Sequence, residues 1–136
     1  MASTIDLRKE TVGVVPSQGI RAHAVIEIAV DASKVSGGLV NGNTYKFGQI
    51  PAGFVLTLAG IRVKTVSALT GTSTLNDGTI TPLAAQIMNV IGMFYGTTNL
   101  PKYYKVATTI VGLIATADIA DAIFDIVLEG YMLTPE

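Results

Sequence analysis

Apolar and polar residues alternate in two long stretches of this 136-residue chain, one early and one at its end. From Arg21, the residues Ala24, Ile26, Ile28 and Val30 fall on one face of an extended backbone, and Arg21, His23, Glu27 and Asp31 fall on the other. From Ala122, the set Ala122, Phe124, Ile126, Leu128 and Met132 faces one way, while Asp125, Val127, Glu129 and Tyr131 face the other. A period of two marks a half-buried β-strand, because successive side chains leave opposite sides of the pleat. A chain bracketed by two such strands has to build sheets with one dry face, and those sheets have to pack on something.

The segment between them supplies more strands and the turns that separate them. SGGLVNGN carries Gly37-Gly38 and Asn41-Gly42 as turn signals, a short strand follows around Tyr45 to Ile50, and Pro51-Ala52-Gly53 turns the chain again. In FVLTLAGIRVKT, Leu56 and Leu58 share one phase, and Ile61, Val63 and Thr65 share the other. A bulge at Ala59-Gly60 would bring both sets to the core, since one extra residue shifts the phase by one. Arg62 and Lys64 would then point outward together. Thr70 to Thr79 leaves room for one short strand ending at the turn Asn76-Asp77-Gly78. Thr81-Pro82 then resembles a helix start, with Leu83, Ile87, Ile91 and Phe94 at near-helical spacing, although Gly92 and Gly96 weaken that pattern. Tyr103 to Ala115 reads as a further strand. The expected fold is all-β: a single antiparallel sandwich or jelly roll, with room for one short helix in a crossover. Residues 1–20 read as an N-terminal arm and residues 21–136 as one domain. Within the arm, a frayed terminus and a segment docked on a neighbour are both consistent with the residues.

Charge is scarce. Only 14% of residues are charged and the mean hydropathy is +0.52, with a net charge of −1. A typical soluble domain carries about 25% charged residues, so a chain this poor in charge is weakly protected against association. The uncharged run from Gly78 to Pro101 is interrupted by Pro82, Gln86, Asn89, Gly92, Gly96 and Asn99, which argues against a membrane span. MASTIDLRKETV has no apolar signal-peptide core. No basic stripe points to nucleic acid. Burial against other copies is the reading that remains.

The residues offer little chemistry. His23 is the one histidine and cysteine is absent, so zinc and copper sites of the usual kind lack ligands. Asp118, Asp121 and Asp125 lack the spacing of a calcium loop, and no nucleophile elbow or phosphate loop occurs. Tyr95, Tyr103 and Tyr104 read as interface or core aromatics. Arg62 and Lys64 suit either a solvated face or a contact with an acidic patch on a partner, where charge sets register.

In order, the stretches AVIEIAVDASKV, IPAG with FVLTLAGIRVKT, TSTLNDGT, YYKVATTIVGLIA and AIFDIVLEGYML resemble the small head-decoration, or capsid cement, proteins of tailed bacteriophages over residues 22–133. The resemblance implies a jelly-roll sandwich that forms a homotrimer and uses no cofactor or metal. It also implies a non-enzymatic protein, made in the host cytoplasm, that sits on the outer capsid surface and bridges major capsid protein subunits, with no role at membranes or on nucleic acid. On that expectation Arg8, Lys9, Arg62 and Lys64 are candidate capsid contacts, and His23, Glu27, Tyr103, Tyr104 and Tyr131 are candidate oligomer-interface residues. Two alternatives stand beside it. One is another virion sandwich, such as a head-fibre base or a tail or baseplate component. The other is a carbohydrate-binding jelly roll using Tyr103, Tyr104, Asp118 and Asp121.

Overall fold

The computed structural model describes residues 4–6, 14–15 and 21–133. Among them, eleven strands run in the order β1 (Thr4–Asp6), β2 (Val14–Val15), β3 (Arg21–Asp31), β4 (Thr44–Ile50), β5 (Phe54–Thr65), β6 (Thr72–Leu75), β7 (Leu83–Ile87), β8 (Gly92–Gly96), β9 (Lys102–Tyr104), β10 (Thr108–Ala115) and β11 (Ile123–Leu133). One sheet has the order β1-β4-β10-β6-β7, and the other the order β2-β3-β11-β5-β8, with β9 beside the start of β5. Setting aside β1, β2 and β9, the chain crosses from one sheet to the other after β3, β4, β5, β7, β8 and β10. That path through two antiparallel four-stranded layers is the jelly roll expected from the alternation. Of the arm, β1 lies parallel to β4 and β2 antiparallel to β3, so both cover the same side of the sandwich. Arg8 and Lys9 lie outside the described residues.

The core sits between the layers. Ile26, Ile28, Ile61, Phe124, Ile126 and Leu128 from one sheet meet Tyr45, Phe47, Ile50, Leu75, Ile110 and Ile114 from the other, all buried. Phe47 and Phe124 pack edge to face across the gap, with centroids 6.1 Å apart. Tyr45 is fully buried yet satisfied: its hydroxyl donates to the Gly38 carbonyl at 3.2 Å and accepts from Val40 N at 2.8 Å.

Three expectations change. First, the crossover holds strands instead of a helix. Leu83 is buried, Ala84 and Ala85 are exposed, and Ile91 points into solvent at 67% exposure. The spacing of four that resembles a helix arises from two edge strands joined by a turn, and Pro82 precedes β7, where an edge strand tolerates proline. The described helical structure is a single 3₁₀ turn at Ala32–Lys34.

Second, β5 does not bulge at Ala59-Gly60; its register against β11 shifts at Thr57 and again at Lys64. Glu129 faces Leu58 and Gly130 faces Leu56, so Thr57 is the extra residue, and its hydroxyl donates to the Glu129 carbonyl at 3.1 Å. Leu58 leaves the core at that step, and Ala59, Ile61 and Val63 enter it. Gly60 serves a different need from the one its sequence position suggests. A Cβ there would lie 2.7 Å from Met93 Cε and 2.9 Å from the Phe94 carbonyl, so its lack of a side chain admits β8. Third, Tyr103 to Ala115 divides into β9 and β10, which belong to opposite sheets.

Replacing Phe47 or Phe124 with alanine is expected to cost about 3–5 kcal/mol each. In a double-mutant cycle the paired loss should fall short of the sum by about 0.5–1.5 kcal/mol. Urea unfolding followed by circular dichroism measures both, and strictly additive losses would show that the two rings do not support each other.

Candidate functional site

Two polar constellations stand out among the described residues, one on a sheet face and one beneath a loop. The first follows from strand register. Pairing of β11 with β5 sets Asp125 opposite Arg62, and pairing of β11 with β3 sets Val127 opposite Glu27 and Tyr131 opposite His23. All these side chains leave the outer face of the six-stranded sheet. Asp125 Oδ2 accepts from Arg62 Nε at 3.1 Å and from Arg62 Nη2 at 2.6 Å, and Lys64 Nζ lies 3.4 Å from Asp125 Oδ1. Glu27 reaches the same guanidinium at 3.5 Å. The hydrogen bond to Asp125 holds the Arg62 pKa above its already high ordinary value.

The two bases do point outward together, as the strand pattern predicts, but they are compensated. Asp125 is outward-facing and nevertheless buried beneath them, as is Val127 beside Gly60. The face is therefore a patch of alternating sign, with Arg62 half exposed and braced by two carboxylates. His23 is not partnered with Glu27. Its Nε2 lies 3.6 Å from Glu129 Oε1, and its ring meets Tyr131 edge to face at 6.2 Å.

The second constellation centres on Asp77, which the sequence marked only as part of a turn. Its side chain is fully buried. Oδ1 accepts from the backbone N–H groups of Thr79 (2.8 Å) and Ile80 (2.7 Å), which fold the loop over it. Oδ2 accepts from Lys102 Nζ at 2.6 Å and from the Tyr104 hydroxyl at 2.7 Å, and the Lys102 ammonium lies 4.9 Å from the centre of the Tyr104 ring. Desolvation alone would raise the Asp77 carboxyl, but the bonds from Ile80, Lys102, Tyr104 and Thr79 outweigh it and hold the pKa well below the usual carboxylate range. Burial, then the bond to Asp77 and its negative charge, push the Tyr104 phenol far above its ordinary value. With four donors around it, the carboxylate is fixed as an anion, and it braces the β6–β7 loop against β9.

This geometry removes Tyr104 from the surface: it is 3% exposed and faces Asp77, whereas its neighbour Tyr103 is 50% exposed. Tyr104 is thus a core residue and unavailable to an oligomer interface. Nor do the residues of a carbohydrate site converge. Tyr103 pairs with Val55 at the start of β5, while Asp118 accepts from Asn41 N and Asp121 from Ala68 N beyond its other end. A strand the length of β5 spans about 40 Å at ~3.3 Å per residue. The two loop aspartates act as turn ties. Among the described residues, no three His, Cys, Asp or Glu side chains gather where a metal ion could sit, and no helix is long and apolar enough to cross a membrane.

Comparison with known protein families finds none that matches, and comparison with curated proteins finds no match. Two solved structures share the fold. A chain of the cyanophage Pam1 capsid asymmetric unit superposes with a TM-score of 0.66 at 15% identity, over 87% of this chain and 91% of that one. A chain of the capsid of Ralstonia phage GP4 superposes with a TM-score of 0.60 at 13% identity, over 99% of this chain and 100% of that one. At these identities the likeness is one of fold, and it extends over nearly the whole of each chain.

Asp77→Asn is expected to destabilise the protein by about 1–3 kcal/mol at neutral pH, because Lys102 and Tyr104 lose an anionic acceptor. The pH dependence has a definite sign. The folded pKa of Asp77 lies below its unfolded value of about 3.9, so its contribution is fully present above roughly pH 5 and declines as pH falls below about 4. Urea midpoints of the two proteins should therefore converge in acid. A constant gap from pH 7 to pH 3 would show that the charge of Asp77 contributes nothing.

Proposed function

We propose that this protein is a structural component of a bacteriophage virion that binds the outside of the capsid as a homotrimer and bridges major capsid subunits. The observation that carries the reading is the end-to-end likeness to a chain in the Ralstonia phage GP4 capsid, where 99% of this chain matches 100% of the other. Scarce charge and high mean hydropathy favour a life in contact with other chains. The rigid sandwich, with polar groups used as braces, suits a part whose task is to hold shape.

On this reading the outer face of the six-stranded sheet is the surface that recognises the shell. Its alternating charges fit a partner patch of the opposite order, which fixes register more than affinity. Asp125 and Glu27 hold the Arg62 guanidinium in place, so little side-chain entropy is lost on contact. Arg8 and Lys9 remain candidate contacts alongside Arg62 and Lys64.

Mixing the protein with undecorated shells should give saturable binding and shells that resist heating better. Arg62→Ala with Lys64→Ala should weaken binding on the order of 10- to 100-fold, since about 0.5–1 kcal/mol is lost per copy and three copies bind together. Unchanged occupancy removes these residues from the contact. Binding to tails or fibres in place of shells moves the protein to another part of the virion.

A further inference from the structure

Asp77 is the one aspartate in the chain followed by glycine. An Asp-Gly bond is chemically fragile, because glycine sets no side chain in the way of attack by its own nitrogen on the aspartate carboxyl. The step forms a bond from Gly78 N to Asp77 Cγ and breaks a Cγ–O bond. The departing oxygen leaves as water, taking one proton from the Gly78 N–H and one from the carboxyl. Water then opens the five-membered imide. Opening at the main-chain carbonyl leaves isoaspartate, with the backbone rerouted through the former side chain and no net change in mass.

Nothing around Gly78 obstructs this chemistry. The residue is exposed, has φ +95°, and would have no atom within 4 Å of an added Cβ. The obstruction lies at Asp77. Oδ1 is held by the N–H groups of Thr79 and Ile80, and Oδ2 by Lys102 Nζ and the Tyr104 hydroxyl. These bonds fix both oxygens, so Cγ is not free to turn toward Gly78 N. They also favour the charged carboxylate, whose oxygen is a poor leaving group. The attacking nitrogen is tied as well, since its N–H donates to Asn76 Oδ1 at 2.5 Å.

We propose that the Asp77–Gly78 bond is a self-modification site, and that the brace from Lys102 and Tyr104 keeps it from isomerising to isoaspartate while the chain is folded. The modification is one-way for the brace. Isomerisation lengthens the backbone by one atom and moves the carboxylate to the former main-chain carbon, so Lys102 and Tyr104 lose the acceptor they enclose. A chain that reacts while open refolds with its β6–β7 loop no longer tied to β9.

Prolonged incubation of the full chain in mildly acidic buffer, followed by isoaspartyl-methyltransferase labelling and peptide mapping, tests this. Folded wild type should gain isoaspartate at residue 77 far more slowly than wild type in urea. Lys102→Met should gain it about 10- to 100-fold faster than wild type, the range expected for losing one hydrogen bond to a charged group. Asn41–Gly42, which forms isoaspartate by deamidation, is an internal reference whose rate should stay the same. Circular dichroism checks that each variant is folded. If Lys102→Met does not fold, Tyr104→Phe decides, because it keeps the ring and removes only the hydroxyl. Wild type isolated after isomerisation should unfold at a lower urea concentration than unmodified chain. A folded variant that reacts at the wild-type rate overturns the proposal. So does folded wild type that reacts as fast as the unfolded chain, or modified chain with an unchanged urea midpoint.

Discussion

The backbone ladder of β11 runs to β3 on one side and to β5 on the other, nearly over its whole length. Two strands made far apart in sequence are thereby fixed in register by a third. One consequence is the core: with Phe124, Ile126 and Leu128 turned inward, Ile26, Ile28, Ile61 and Val63 have to face the same gap. Another is the outer face, where the same register puts Asp125 under Arg62 and Lys64. A slip of one residue along β11 would empty the core and scatter the charges together, so packing and surface chemistry are specified by one set of hydrogen bonds.

Charge scarcity then acquires a location. The outer face of the six-stranded sheet carries Glu27, Arg62, Lys64, Asp125 and Glu129, while the β7–β8 side carries none. Asp77 and Lys102 are turned inward to brace a loop. These charges thus serve register and bracing, and the strands β7 and β8 carry none.

What was legible in the sequence was local. The alternation from Arg21 and from Ala122 gave β3 and β11, and the glycine turns at Gly42, Gly53 and Gly78 all adopt positive φ, as their neighbours suggested. What was hidden depends on partners distant in the chain. The bulge at Thr57 is set by Gly130, whose missing side chain leaves room for the Val55 carbonyl, and a glycine inside the run LEGYML was the available hint. Tyr103 and Tyr104 look alike in sequence, and only the pairing of β9 with β5 decides which one is inside. Asp77 meets partners 25 and 27 residues away, so the turn was readable and its brace was not. The shell contacts expected at Arg62 and Lys64 stand on a surface whose compensation by Asp125 no spacing rule reveals.

The central place of β11 also orders events at the ribosome. β3 and β5 are complete well before residues 123–133 emerge, and at synthesis rates of about 5–20 residues per second the delay lasts several seconds. Until then the six-stranded sheet is two separate pieces, each with an open apolar flank. Closure of that sheet waits for β11, which lies between them.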